Sequence, residues 1–234
     1  MASHERAVAL DTETTGFKHS EGDRIVEIGA VELVGNIETG RTFHVYLNPY
    51  PRPVSQGAFE VHGLSTEFLM DKPKFRDVYH GFVDFIGDSP LIIHNAAFDV
   101  GFINAEFERM GRRPLTNEIR DTLRTARDKY PGQRVSLDAL CSRLGVDNSR
   151  RDLHGALIDA SLLAQVYVKM MELDRLALLP VDSGQADSVL PVASVSIPRR
   201  PFPRRAPLDP TQAELAAHEA FISSAVKDSL WVNP

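Results

Sequence analysis

The chain has 234 residues, 43% of them hydrophobic, and a formal charge of −6. Such a chain can bury one substantial core with a short appendage left over, and its acidic balance speaks against broad electrostatic coating of nucleic acid while allowing a local basic rim. Cys141 is the only cysteine, which excludes an internal disulfide and a thiolate zinc cluster, so any metal must be held by oxygen and imidazole. No apolar run approaches the ~20 residues that span a bilayer, and Met1–Arg6 lacks the basic-then-apolar layout of a signal peptide; the expectation is no membrane association and a cytoplasmic location.

Ala7-Val8-Ala9-Leu10 reads as a buried strand that runs into Asp11-Thr12-Glu13-Thr14-Thr15-Gly16. Strand side chains alternate, so Asp11 and Glu13 project to one side, where two adjacent carboxylates favour a hard divalent cation between them. Taken alone, an Asp-x-Glu at a strand end reads as an ordinary solvent-facing acidic pair. Ile25–Leu33 and Thr42–Leu47 read as a second and third strand, with Gly35-Asn36 and Thr39-Gly40 as turns, and the short connections favour antiparallel pairing. Asn48 to Gln56, with three prolines, reads as a loop leading into Val61-His62-Gly63-Leu64.

Phe75, Val78, Phe82, Phe85 and Ile86 recur at helical spacing, ended by Gly87 and Pro90. Leu91-Ile92-Ile93 has the continuous apolar character of a central strand and leads through His94-Asn95 into a helix from about Ala97 to Met110, which puts Asp99 in the first turn, facing back over the strand end. Ile119–Thr122 reads as a fifth strand, followed by a helix through Ala126. Ser136 caps another helix, with Leu137, Leu140, Cys141 and Leu144 on its inner face and Gly145 as its stop. A last helix starts near His154-Gly155 and runs to about Leu176. On an ideal helix His154 and Asp159 would point ~140° apart, so they can share a site only if His154 precedes the regular turns.

These elements predict an α/β domain over residues 1–178: a mixed sheet of three antiparallel strands, then parallel ones, flanked by helices. Residues 179–210 carry seven prolines, several serines and the pairs Arg199-Arg200 and Arg204-Arg205, with no apolar periodicity, and read as a flexible Pro-rich linker. Residues 211–234 recover a helical pattern in Leu215, Ala216, Phe221, Ile222, Ala225 and Leu230; this predicts a C-terminal docking helix for a partner, with folding back onto its own domain as the alternative.

Asp11, Glu13, Asp99, His154 and Asp159 are each unremarkable alone, since a solvated acid or a helix cap would account for any one of them. In order and context, Asp11-Thr12-Glu13-Thr14-Thr15-Gly16, His94-Asn95-Ala96-Ala97-Phe98-Asp99 and His154-Gly155-Ala156-Leu157-Ile158-Asp159 resemble the DnaQ-like exonuclease superfamily, in the branch whose final motif is His-x4-Asp. Val61-His62-Gly63, Ser136 to Cys141, and Asn148-Ser149 with Arg151 and Leu153 to Ala156 extend the resemblance to the epsilon subunits of bacterial DNA polymerase III, over about residues 5 to 175. Ala213 to Glu219 is similar to the segment by which those subunits attach to the polymerase catalytic (alpha) subunit.

That resemblance implies a ribonuclease H-like fold and a 3′-to-5′ exodeoxyribonuclease that proofreads for the replicative polymerase. It implies catalysis by Asp11, Glu13, Asp99, His154 and Asp159, with the four acids holding two divalent ions, Mg²⁺ or Mn²⁺, and His154 accepting a proton from the attacking water. Thr14, Thr15, Gly16, Val61, His62, Asn95 and Phe102 would meet the 3′ end of single-stranded or frayed DNA, with Val61 and Phe102 reading equally as core residues. Gln185, Ser188 and Leu190, in Gln185-Ala186-Asp187-Ser188-Val189-Leu190, resemble a short sliding-clamp-binding peptide that lacks the usual terminal aromatic, which implies a weak contact. The small theta subunit is a further implied partner. A 3′-to-5′ exoribonuclease of the same superfamily, or a scaffold between polymerase and clamp, are the alternative readings.

Overall fold

Arg6–Thr14 forms β1, the strand on which the domain is built. It pairs antiparallel with β2 (Ile25–Val34), which pairs antiparallel with β3 (Ile37–Tyr46); on its other side β1 pairs in parallel with β4 (Leu91–Ile93), and β4 with β5 (Ile119–Asp121). The order β3-β2-β1-β4-β5 is the expected mixed sheet, with its change from antiparallel to parallel pairing at β1. The computed structural model describes residues 5–149 and 153–177, together with Gln212. The chain divides into residues 1–181 and 182–234; the linker, the clamp-like peptide and the C-terminal segment lie outside the described residues.

Alternation along β1 builds two cores. Ala7 and Ala9 pack on a layer formed by α5 (Thr122–Lys129), α6 (Leu137–Leu144) and α7 (Ala156–Ala177), while Val8 and Leu10 pack on α3 (Phe75–Ile86) and α4 (Ala96–Arg109). No helix among the described residues is long and apolar enough to cross a membrane.

Two local expectations change. Thr39-Gly40 is no turn: β3 begins at Ile37, and Gly35 and Asn36, both at positive φ, make the hairpin, while the pairing shifts between Val31 and Leu33 to take up the extra residues around Gly40. The proline-rich loop ends where expected, but a helix that was not expected follows it. The loop gives way to α1 (Gln56–His62), whose start is capped by the Ser55 hydroxyl and whose end is turned by Gly63, and then to the single turn α2 (Thr66–Leu69), capped by Ser65.

Candidate active site

The alternation that divides the core also distributes the acids. Asp11 and Glu13 continue the Ala7–Ala9 face toward α7, and Thr12 continues the Val8–Leu10 face toward α4. In the first turn of α7 Asp159 is buried, and Glu13, His154 and Asp159 each offer a ligand atom within 4.8 Å of the others. Asp99 arrives from the opposite layer. It lies buried in the first turn of α4 and accepts a hydrogen bond from Thr12 Oγ1 at 2.7 Å. Asp11, half-buried, stands at the same strand end opposite Gly29 of β2 and, like Asp99, is outside the cluster of three.

Gly29 explains how α7 comes so near. A Cβ at that position would lie 2.1 Å from the carbonyl carbon of Ala156, so the first residue of α7 rests directly on the strand. Only a residue without a side chain allows that approach, and it carries Asp159 in over Glu13. Such a glycine in a strand beside the acidic motif is a signal the sequence offered and the expected residue set omitted.

His154 lies on the loop before α7, as the five-residue spacing to Asp159 requires. Its backbone N–H donates to Val61 O at 3.1 Å, and Nδ1 lies 3.1 Å from Asp159 Oδ2. Beside an ionised Asp159, Nδ1 carries the proton and donates, which leaves Nε2 as the nitrogen whose lone pair can take one. The side chain is 47% exposed, so water reaches it.

A cavity of about 150 Å³ adjoins the acids, lined by Glu13, Thr14, Gly16, Phe17, Ala58, Val61, His62 and Phe98. Of the residues expected at the substrate, Thr14, Gly16, Val61 and His62 line it. Thr15 is buried with its hydroxyl used internally, accepting from Arg24 N and donating to Asp23 Oδ1. Gly16 is required here, because a Cβ would lie 2.5 Å from Asp23 Oδ2. His62 is buried: Leu64 N donates to Nδ1, so Nε2–H donates to Thr14 O, and burial lowers the imidazole's pKa, favouring its neutral form. It therefore fixes the end of α1 against β1 as well as walling the cavity. Asn95 is exposed at the start of α4.

Phe102 requires a correction. It is wholly buried, with its ring centroid 4.8 Å from that of Phe98 and 5.5 Å from that of His19, and it lines no part of the cavity. Phe98, one helical turn earlier, lines it together with Phe17. Helical spacing carried both phenylalanines to one side of α4, and position along the helix decided which one reaches the opening.

The donor set fits a divalent cation. It is rich in carboxylate oxygen, and burial pushes the Asp99 carboxyl up to about 7, against the Thr12 hydroxyl that favours its ionised form. A buried acid in that condition is relieved by a cation beside it.

The exonuclease family model (RNase_T) matches residues 8–167. The chain is 45% identical over 227 residues to the DNA polymerase III subunit epsilon of Rickettsia felis, covering 95% of this chain and 97% of that protein. It is 45% identical over 230 residues to the subunit of the same name from Escherichia coli strain K12, covering 95% and 94%. Among solved structures, exonuclease X in complex with 5′ overhanging duplex DNA superposes with a TM-score of 0.57 at 26% identity, over 73% of this chain and 92% of that one. The chain belongs to the exonuclease family, in the branch of the DNA polymerase III epsilon subunits.

Proposed function

We infer that the chain is a metal-dependent 3′-to-5′ exodeoxyribonuclease that proofreads for the replicative DNA polymerase. The observation that carries this reading is the convergence of Glu13, His154 and Asp159 beside the cavity walled by Thr14, Val61 and His62, in a member of the exonuclease family.

Asp11, Glu13, Asp99 and Asp159 are the residues that would hold two divalent ions, Mg²⁺ or Mn²⁺. Such ions, when bound, supply Lewis acidity at the scissile phosphate and stabilise the attacking and departing oxygens. The chain's own residues supply the rest. His154 takes the proton of the attacking water at Nε2, and Asp159 holds the imidazole through Nδ1. Thr14, Gly16, Val61, His62 and Phe98 receive the terminal nucleotide, its base against the apolar wall. Asn95 orients the sugar or phosphate. Mismatched ends are favoured because a mispaired terminus is easier to unpair.

Residues 211–234 attach the chain to the polymerase catalytic subunit, the peptide with Gln185, Ser188 and Leu190 touches the sliding clamp weakly, and theta binds the catalytic domain; the replisome in the cytoplasm is the place of action. The resemblance of those segments and the names of the relatives support this assignment.

The test is digestion of a 5′-labelled single-stranded DNA oligonucleotide, with Mg²⁺ and with chelator, by wild type and Asp11→Ala. A metal-dependent ladder shortening from the 3′ end and absent in the variant is expected. No shortening by a folded, metal-binding wild type would reject the reading, and cleavage of matched RNA alone would replace it with the exoribonuclease.

A further inference from the structure

Asp121 closes β5 and belongs to none of the groups assigned above. Its carboxylate accepts four backbone N–H groups. Two, from Leu123 at 2.9 Å and Arg124 at 3.3 Å, cap α5, which Asp121 itself precedes. The other two come from a different helix: Asn95 N donates to Oδ1 and Ala96 N to Oδ2, each at 3.2 Å. The parallel register sets Ile93 opposite Asp121, so the ends of β4 and β5 lie side by side and one carboxylate reaches both helix starts.

α4 needs that outside help. Its N-cap, Asn95, sits in the left-handed region at φ 68, ψ 52, and its side chain bonds no N–H of the helix. Asparagine tolerates that region better than other non-glycine residues, but with no cap from its own side chain the first N–H groups of the helix are left to an outside acceptor. The same short stretch delivers two site residues: Asn95, exposed, and Asp99, buried and aligned with the Thr12 hydroxyl.

We propose that Asp121 is a positioning residue of the exonuclease, whose bonds to the N–H groups of Asn95 and Ala96 hold the first turn of α4 so that Asp99 points into the acidic site. This rests on the reading of Asp99 as a site carboxylate. Asp121 holds Asp99 through the α4 backbone and also lies near enough for its negative charge to act on the Asp99 carboxyl; its capping of α5 is a separate, structural role.

Asp121→Ser separates the two roles. Serine is a good N-cap and keeps the bonds to α5, but its side chain is too short to reach Asn95 and Ala96. In the full chain the variant is expected to melt close to wild type. Amide hydrogen exchange, measured without metal, should quicken at residues 95–99 and stay unchanged at 123–126. The turnover number on a single-stranded oligonucleotide should fall about tenfold or more, with a higher half-saturating Mn²⁺ concentration, the size of effect seen when residues that orient metal ligands are removed. Wild-type exchange at 95–99 together with wild-type turnover and Mn²⁺ dependence would overturn the proposal, as would a general fall in stability with the Mn²⁺ dependence unmoved. Asp99→Ala, run alongside, isolates the premise: full activity in that variant would remove Asp99 from the site, whatever Asp121→Ser does.

Discussion

Asp99 shows what the site does to the fold that carries it. Its carboxyl is 3% exposed, and burial raises its pKa to about 7. An acid whose pKa rises on folding is protonated more readily in the native state than in the unfolded chain, so the native state holds the extra proton between the unfolded value near 4 and the folded value near 7. Stability of the metal-free protein therefore falls as pH climbs through that window and stays lowered above it. Asp99→Asn carries no such charge. Without metal it should melt several degrees above wild type at pH 8, a gain of up to a few kcal/mol, with the difference closing near pH 4; scanning calorimetry at the two pH values checks this, and an equal melting temperature at pH 8 would contradict it. The same variant should be inactive, the usual opposition of stability and function at a site. His154→Ala makes the complementary case. Its imidazole is 47% exposed and contributes little packing, so melting should stay near wild type while the oligonucleotide rate falls by about 10² to 10⁴-fold, the range for loss of a general base. A rate equal to wild type at saturating metal would remove His154 from the mechanism.

At the scale of elements, the site is a junction between one strand end and two helix starts, and each contact has its own structural cause. Gly29 sets the closeness of α7. In Gly29→Ala the new methyl would enter the space of the Ala156 backbone, 2.1 Å from its carbonyl carbon, and the helix start must move away. Asp159 and His154 move with it, so the rate should drop at least tenfold with a stability loss of about 1–3 kcal/mol, typical of overpacking; unchanged activity would show that the α7–β2 approach does not set the site. The sequence made much of this junction legible. The alternation of β1 assigned Asp11 and Glu13 to one face, and the five-residue spacing placed His154 ahead of regular helix, both of which follow from backbone geometry alone. What it left hidden depends on which residues meet across elements. Helical spacing could not separate Phe98 from Phe102, because the depth of α4 against His19 and β1 decides that. α1 was masked by the prolines before it, although Ser55 and Gly63 mark its two ends. Thr15 stands in the middle of the motif, but its hydroxyl is spent on Asp23 and Arg24, partners that only the folded turn brings near.

Under the function proposed above, the whole chain divides its work between a sheet that builds chemistry and a segment that finds a partner. The exonuclease family model ends at residue 167, and exonuclease X covers 73% of the chain, yet the epsilon subunits of Rickettsia felis and Escherichia coli align over 95% of it. Those two alignments extend beyond residue 178, into the segment proposed above to attach the chain to the polymerase. Residues 179–210 have the proline content of a tether, and the apolar positions Leu215, Phe221, Ile222 and Leu230 in a short segment gain most by burial on another protein. Chain 1–178 contains every residue of the site and both cores of the sheet, so it should degrade single-stranded DNA at the full-length rate. It should also fail to co-elute with the polymerase catalytic subunit, whereas the full chain does. Co-elution of the truncated chain would place the attachment surface on the catalytic domain, and loss of its nuclease rate would mean that the tail contributes to the site and is more than a tether.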